Sequence, residues 1–385
     1  MQSLLNVKVL FVGPMSPPVT GQALAFKEAY NHIKCQKSII WQNTEGKSVV
    51  VKVMVIIFIF FQSIVKILAK RPDIIYLSCS RSFKGSIKDL PTILLGILLN
   101  IPIICHIQGS DFTLFMNNTP AIFRKLYTRI YSQISLFVVL LPGMIKEVTD
   151  VLGSKVNIEV IPNFYDSVLD EYKGQSNRLT SDGITNITFL SNLIYSKGII
   201  HLLQAFDELS YSNPHIKLFI AGNCLSDEFR SKKEVLSEME NMLSKNQRIT
   251  YLGPVHGQKK AELLYKTDIL ALPTFYKPEA LPLALLEGMR AGAVILTTNH
   301  NHLASLINND NGILVKPNSV DDIKSGLASL LSLSNKEFNT IREHNVQQAK
   351  LHYSLHKYIA RLEEVFIKTI PVRTTERQLS NKIGI

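Results

Sequence analysis

Cysteine is scarce in this sequence, and its spacing excludes two kinds of architecture. Only four of the 385 residues are cysteines, and none of them form a C-x-x-C pair. Zinc sites and disulfide frameworks both depend on paired or regularly spaced cysteines, so we expect neither. Cys79 and Cys105 lie in apolar runs and are predicted to be small core residues. Free cysteines of this kind fit a reducing, cytoplasmic compartment.

Basic clusters and a secretory signal are also missing. The net charge is +11, but no run of lysine and arginine with interleaved aromatic residues occurs, which argues against nucleic acid as a partner. Residues 1–12 have no basic n-region and only a short apolar stretch, so we expect no secretory signal. The charge is uneven, because residues 1–180 hold 19 lysines and arginines against 11 acidic residues. An anionic membrane face or a phosphate-bearing substrate would suit this half of the chain.

One long apolar stretch covers residues 49–68. It is unbroken from 53 to 61, but lysines and polar residues interrupt the wider window. A membrane-spanning helix needs about 20 nearly uncharged residues. The favoured interpretation is therefore an ordinary buried element. A transmembrane helix and a membrane-docking surface helix, which Lys66, Lys70 and Arg71 would suit, are the alternatives.

Short apolar strands alternate with helical stretches along most of the chain. The predicted strands of the first series are 7–12, 74–77, 101–107, 136–140 and 158–161. Those of the second series are 187–190, 216–221, 249–252, 269–272 and 293–297. This alternation is typical of βαβ units with a parallel sheet, so the fold class is α/β.

A polar segment without apolar periodicity separates the two series and predicts an interdomain linker. The sequence thus predicts an N-terminal domain over 1–172, a linker over 173–185 and a C-terminal domain over 186–354. A C-terminal helix over 355–370, packing back toward the N-terminal domain, and a tail over 371–385 follow. Open parallel sheets bind ligands beyond the carboxyl ends of their strands, so functional residues are expected there.

Two glutamates eight residues apart, Glu279 and Glu287, give the sharpest functional signal. Glu279 follows the apolar strand 269–272, Pro282 suits a first helical position, and Glu287 lies more than a turn inside the helix. The exposed amides of residues 280–283 would face an anionic or hydroxyl-rich ligand. One carboxylate can accept hydrogen bonds from sugar hydroxyls and the other can hold a ribose diol. Two unrelated surface acids would not need this order of strand, loop, proline and helix.

This segment resembles the E-x7-E motif of family-4 retaining glycosyltransferases, whose usual form is E-G-x-P-x-x-x-x-E-A-M-A-x-G. The chain has Glu279-Ala280-Leu281-Pro282 and then Glu287-Gly288-Met289-Arg290-Ala291-Gly292. The resemblance can be followed over residues 7–370. It implies the GT-B fold, two facing Rossmann-like domains with parallel sheets and a cleft between them. It also implies that the first domain binds the acceptor and the second the nucleotide sugar.

The family's site roles carry over onto matching residues of this chain. The resemblance implies that Glu279 contacts the donor sugar, that Glu287 binds the ribose, and that Lys197, in a K-G pair, binds the diphosphate. Asn192 occurs where the family often has arginine, and Ala280 replaces the usual glycine, which would narrow the room beside the sugar. The predicted donor-binding set is Gly21, Asn192, Lys197, Gly222, Val255, Glu279, Ala280, Leu281, Pro282, Leu283 and Glu287.

The first domain supplies further candidates. The family commonly places a histidine beside the donor sugar, and the match falls on Gln108 by its following glycine, with His106 two residues earlier. Both would lie on one side of a strand, and both stay catalytic candidates with Glu279 and Lys197. Asp111 is a candidate acceptor-side base. A basic helix adds the acceptor-side candidates Arg124, Lys125 and Arg129.

These observations predict a retaining glycosyltransferase that moves a sugar from a nucleotide-diphosphate donor to a glycan acceptor. The acceptor is expected to be polyprenyl-linked, in the synthesis of O-antigen, capsule or exopolysaccharide. No D-x-D sequence occurs, so we expect neither a metal nor another cofactor. The predicted location is cytoplasmic, with peripheral contact to the inner, anionic face of the membrane as an option. The alternatives are a GT-B sugar-nucleotide epimerase and an inactive glycan-binding or scaffold homologue.

Overall fold

The structure, a computed structural model, describes residues 4–15, 20–42, 48–173 and 183–370. Most of the predicted linker, the predicted tail and part of the loop before Gly21 lie outside the described residues. The chain divides into two compact units, residues 1–163 with 356–385 and residues 164–355. Each unit contains a parallel six-stranded sheet.

The sheet of the first unit has the strand order β2-β1-β3-β4-β5-β6. Its strands are β1 (Lys8–Gly13), β2 (Gln36–Trp41), β3 (Ile74–Ser78), β4 (Ile103–His106), β5 (Leu136–Val139) and β6 (Ile158–Val160). The central strands β3 and β4 are buried along their whole length. The strand β2 is not predicted from the sequence, because this edge strand begins with polar residues and only Ile40 in it is buried.

Within the described residues of the first unit, seven α-helices precede the second unit in the chain. They are α1 (Gly21–His32), α2 (Val49–Lys70), α3 (Phe83–Ser86), α4 (Leu90–Leu98), α5 (Phe112–Asn118), α6 (Ala121–Tyr131) and α7 (Met144–Leu152). They connect successive parallel strands, as the alternating sequence pattern predicts.

The helix α2 is not the buried element that the sequence favours. Ile59, Ser63 and Ile67 form a narrow buried edge, whereas large apolar side chains such as Phe58 and Phe61 are 61 % and 59 % exposed. Among the described residues, Val53–Lys70 is the stretch long and apolar enough to cross a membrane, by length and composition alone. The prediction of a buried element was wrong because a continuous apolar sequence is the same whether its side chains face a protein core or the surface.

The sheet of the second unit has the order β12-β11-β10-β7-β8-β9. Its strands are β7 (Thr185–Leu190), β8 (Ile216–Ala221), β9 (Ile249–Gly253), β10 (Ile269–Leu272), β11 (Val294–Thr298) and β12 (Gly312–Val315). Its helices are α8 (Val168–Glu171), α9 (Ile199–Ser212), α10 (Lys232–Lys245), α11 (Gly257–Tyr265), α12 (Leu283–Ala291), α13 (Val320–Leu331) and α14 (Asn335–His352).

The last helix, α15 (Leu355–Thr369), completes the core of the first unit. The ring of Phe366 lies 6.2 Å from that of Phe11 and 5.4 Å from that of Tyr76, measured between centroids. The Tyr358 hydroxyl donates a hydrogen bond of 3.2 Å to the carbonyl oxygen of Ala25. Aromatic packing therefore joins this helix to residues more than 250 positions earlier in the chain.

Candidate functional site

The segment between β10 and α12 places Glu279 immediately before a helix N-terminus. Glu279 is buried, with 7 % of its surface exposed, and the neighbouring Ala280 and Leu281 are buried as well. Pro282 is the N-cap of α12, so the helix begins at Leu283, one residue later than the sequence predicts. The first amides of α12 lack acceptors within the helix, so they offer donors beside the Glu279 carboxylate.

Glu279 is held by two donors from the second unit. Its Oε2 atom accepts an ion-pair hydrogen bond from Lys197 Nζ and a bond of 3.0 Å from Thr274 Oγ1. Lys197 Nζ also lies 5.0 Å from the ring centroid of Tyr276. Asn301 donates to the backbone oxygen of Glu279 at 2.7 Å. Thr274, Tyr276 and Asn301 are not among the residues predicted from the sequence, although the first two lie in the same loop as Glu279.

Lys197 is fixed by the tight approach of two loops. It ends a short 3-10 turn, Tyr195–Lys197, that precedes α9. The next residue, Gly198, has a left-handed φ of +79°, and a Cβ atom there would lie 2.2 Å from the backbone oxygen of Pro273. Only glycine fits this contact, so the residue pair Lys197-Gly198 brings the cation beside the loop that carries Glu279. Side-chain exposures of 12 % for Lys197 and 9 % for Glu279 show that little water reaches the pair.

Glu287 belongs to a second ion-pair group. Its Oε1 atom lies 2.7 Å from Lys260 Nζ, which also lies 2.8 Å from Asp166 Oδ2. Burial acts to lower the pKa of Lys260, but the two carboxylates outweigh it and raise that pKa overall. The lysine is therefore charged and holds one oxygen of Glu287. Nothing in the sequence distinguishes Lys260 from an ordinary surface lysine of α11.

The other predicted donor residues of this unit lie at the same edge of the sheet. Asn192 follows β7, Gly222 follows β8 and Val255 follows β9, and the carboxyl ends of parallel strands share one edge. Asn192 is exposed and Val255 is half-buried. Gly222 has φ +150°, and a Cβ atom there would lie 1.8 Å from the Ser191 carbonyl oxygen, so glycine allows the two loops to meet.

In the first unit, His106 lies in the core. It is fully buried, its Nδ1 atom lies 2.6 Å from the Tyr76 hydroxyl, and its Nε2 atom lies 2.9 Å from Gln108 Nε2. Burial lowers the pKa of His106 to about 3, so the ring is neutral at physiological pH. Both ring nitrogens contact other side chains. Gln108 is half-buried and is the more accessible of the two candidates.

Asp111 forms an ion pair with Arg81. Arg81 Nη1 also donates to Gln22 Oε1 at 3.1 Å, and Gln22 Nε2 donates to Ser78 Oγ at 2.9 Å. Burial raises the pKa of Asp111, and the neighbouring Arg81 offsets this only in part. The residues follow β1, β3 and β4, so a polar network lies at the carboxyl edge of this sheet as well. Gly21, the predicted donor-binding residue that precedes Gln22 in α1, is exposed.

The three basic acceptor-side candidates are exposed on one helix. Arg124, Lys125 and Arg129 lie on α6 and line an open groove of about 530 Å³ with Ala121 and Thr128. Arg124 Nη2 donates to the backbone oxygen of Asn117 at 2.5 Å. Three basic side chains therefore line this groove, and their charges suit a phosphate-bearing ligand.

Residues 175–348 match the protein-family model described as Glycosyl transferases group 1. An uncharacterized glycosyltransferase of Methanocaldococcus jannaschii is 29 % identical over 147 residues, 38 % of this chain and 35 % of that protein. A glycogen synthase of Mycobacterium tuberculosis is 26 % identical over 196 residues, 49 % of this chain and 44 % of that protein. The matched segments thus span less than half the length of these curated relatives.

Solved structures match over nearly the whole chain. A glycosyltransferase from Rickettsia africae has a TM-score of 0.73 at 18 % identity and covers 94 % of this chain and 98 % of its own. Anabaena HepE in complex with UDP-glucose has a TM-score of 0.69 at 14 % identity, with coverage of 94 % and 100 %. At such identities the likeness concerns the fold, and it confirms the predicted fold class, two Rossmann-like α/β domains of the GT-B type.

Proposed function

We propose that this chain, which contains a Glycosyl transferases group 1 domain over residues 175–348, moves a sugar from a nucleotide-diphosphate donor to a glycan acceptor. The family match and the fold support a glycosyltransferase of the GT-B type. The observation that carries the proposal is the placement of Lys197 and Glu279 at the start of α12, with Glu287 one turn further along. A cation, a carboxylate and helix amides together match the diphosphate and hydroxyl groups of such a donor.

We assign a role to each group. Lys197 and the amides before α12 receive the negative charge of the diphosphate. Glu279 accepts hydrogen bonds from sugar hydroxyls, and Ala280 limits the space beside the sugar. The free oxygen of Glu287 binds the ribose, while Lys260 holds the other. Asn192, Gly222 and Val255 border the nucleotide at the same sheet edge. Structural relatives support a nucleotide donor, since HepE was solved with UDP-glucose.

The reaction that we propose retains the anomeric configuration and uses no metal. The acceptor hydroxyl oxygen bonds to the anomeric carbon on the face from which the diphosphate oxygen departs. The hydroxyl proton passes to that departing phosphate oxygen, and the nucleoside diphosphate leaves. Because Lys197 and Thr274 already bind the Glu279 carboxylate, it positions the sugar and does not attack it. Lys197 and the helix amides supply the leaving-group stabilisation that a cation would otherwise give.

We propose a polyprenyl-linked glycan of a surface polysaccharide (O-antigen, capsule or exopolysaccharide) as the acceptor. The excess of positive charge in residues 1–180 and the exposed Arg124, Lys125 and Arg129 favour an acceptor with phosphate groups. Such acceptors lie in the membrane, so the protein would act in the cytoplasm on its inner face. Asp111 is the polar group of this sheet edge that we place on the acceptor side, and Gln108 stays a catalytic candidate beside the donor sugar.

A thermal-shift screen of nucleotide sugars tests the proposed function. We expect one nucleotide sugar, and more weakly its nucleoside diphosphate, to raise the melting temperature, because a ligand at a hundredfold its Kd adds about 2.7 kcal/mol of stability. Incubation of that donor with lipid-linked acceptors then identifies the product. If no nucleotide sugar shifts the melting temperature, the donor proposal is wrong. A modified donor released without an acceptor would indicate an epimerase.

Lys260→Met tests the role given to Glu287. Without the cation, the carboxylates of Asp166 and Glu287 repel one another and Glu287 loses its fixed orientation. We expect the KM of the donor to rise about tenfold, with kcat little changed, because the ribose is bound equally in the ground and transition states. The control is Lys259→Met, which removes the neighbouring exposed lysine. Equal KM values for the two variants would contradict the assignment.

A further inference from the structure

A large apolar surface covers one side of the first unit. It consists of exposed side chains on α2 and α4, and we call it the α2–α4 face. Its members are Val50, Val51, Val53, Met54, Ile57, Phe58, Phe60, Phe61, Val65 and Leu68 on α2, with Leu94 and Leu98 on α4. Each of these side chains is at least 40 % exposed. Contiguous apolar patches of this kind mark interaction surfaces, because soluble monomers rarely expose them.

The buried edge of α2 keeps the helix flat on its own unit. Ser63 Oγ lies 2.8 Å from Thr92 Oγ1 of α4, and Lys66 Nζ donates to the backbone oxygen of Ile39 in β2. Ile59 and Ile67 are buried beside these contacts. A helix that crossed a bilayer would have to break all of them. The apolar face can therefore enter a membrane only with the helix axis in the membrane plane.

The charged residues within the two helices are of one sign. Neither α2 nor α4 contains an acidic residue, whereas Lys70 and Arg71 lie at the C-terminal end of α2. Two copies that met with their α2 helices parallel would bring these cations together, which disfavours that form of self-association. Anionic lipid headgroups complement them instead.

The helix α6 of the same unit combines exposed apolar and basic residues as well. Its side chains Ile122, Phe123 and Leu126 are 82 %, 43 % and 52 % exposed, and they alternate with Arg124, Lys125 and Arg129. Basic residues beside exposed apolar ones are typical of a helix at a membrane interface. The ring of Phe123 stacks on that of Phe83 in α3, at 5.6 Å between centroids, and α3 leads directly to α4. This ring contact links α6 to the segment that leads into α4.

We propose that the α2–α4 face inserts into one leaflet of an anionic bilayer as an in-plane anchor, with the cations of α6 contacting headgroups at its border. The anchor would hold the enzyme where a lipid-linked acceptor lies. This role of the anchor in catalysis rests on the proposed function. The membrane contact itself is independent of catalysis. Its failure is therefore distinguishable from failure of the donor screen.

Vesicle flotation of the full chain tests the proposal. We expect the protein to float with vesicles of phosphatidylglycerol and phosphatidylethanolamine, and at least tenfold less with phosphatidylcholine alone. Phe58→Glu with Phe61→Glu should reduce flotation at least tenfold. The control is Tyr211→Glu with Leu351→Glu, which alters two large side chains of the second unit that are 82 % and 56 % exposed. Both double variants should keep the melting temperature and the donor-induced shift of the unmodified chain.

The orientation is tested with a tryptophan at two points of one helix face. Trp41 is the single tryptophan of the chain, so the Trp41→Phe variant has no tryptophan fluorescence of its own. In this background, Phe61→Trp and Leu68→Trp should be quenched equally by lipids brominated at one acyl depth. Deeper quenching of Phe61→Trp would show a spanning helix and overturn the in-plane anchor. A chain that stays in solution with anionic vesicles, or that forms dimers lost in the Phe58/Phe61 variant, would overturn the membrane proposal.

Discussion

Glu279→Gln is expected to lower the rate of sugar transfer by about 100- to 1,000-fold, the usual effect of removing one preorganised electrostatic group from a reacting centre. The amide keeps the volume of the carboxylate and can still accept the hydrogen bond from Thr274. It lacks the negative charge that orients Lys197 and that strengthens hydrogen bonds to the sugar hydroxyls. Steady-state kinetics with the donor found by thermal shift will measure the loss.

The stability of this variant separates a local effect from a folding defect. Lys197 loses its anion at a position where its side chain is only 12 % exposed, which costs about 1–3 kcal/mol. The melting temperature should therefore fall modestly while the fold persists. The matched control is Glu262→Gln, since Glu262 also pairs with a lysine but lies exposed on α11. Undiminished transfer by Glu279→Gln would show that the carboxylate does not act on the donor.

Lys197→Met is expected to reduce kcat by about 100-fold or more and to raise the KM of the donor as well. The lysine meets the diphosphate both before and during departure of the leaving group, so its loss weakens the ground state and the transition state together. Methionine keeps the length and apolar stem of the side chain. Lys277→Met, at an exposed position of the Glu279 loop, is the control.

The double variant Lys197→Met with Glu279→Gln shows whether the pair acts as one unit. Because the two side chains are bonded to one another, their effects should not add. We expect the double variant to be about as slow as the slower single variant. Rate losses that multiply would mean that the two residues act on the donor independently.

Much of the fold follows from local signals in the sequence. The strand before Glu279, the proline at 282 and the glycine at 292 mark a strand, a helix start and a helix end, and the structure places all three close to their predicted positions. The strand β2 was not predicted, because an edge strand buries too few side chains to show an alternating pattern of apolar and polar residues. The apolar run over residues 49–68 predicted an apolar element but not the exposure of its side chains.

The partners of the site residues are the part that the sequence does not reveal. Lys260 is 27 residues from Glu287 in the chain, and only the packing of α11 beside α12 brings them together. Asn301 reaches the Glu279 loop from beyond β11 in the same way. The choice between His106 and Gln108 likewise needed burial, since alternation places both on one side of β4. The roles of all these residues stay predictions until the variants are measured.

The in-plane anchor that we propose for α2 would have a kinetic consequence. An enzyme held in the plane of a leaflet meets a lipid-linked acceptor by lateral diffusion, and the reaction then takes place in two dimensions. Its rate follows the mole fraction of acceptor in the bilayer and not the amount of acceptor per volume of solution. Diluting the acceptor with inert lipid would slow such an enzyme, whereas diluting the whole suspension with buffer would leave each encounter on the surface unchanged.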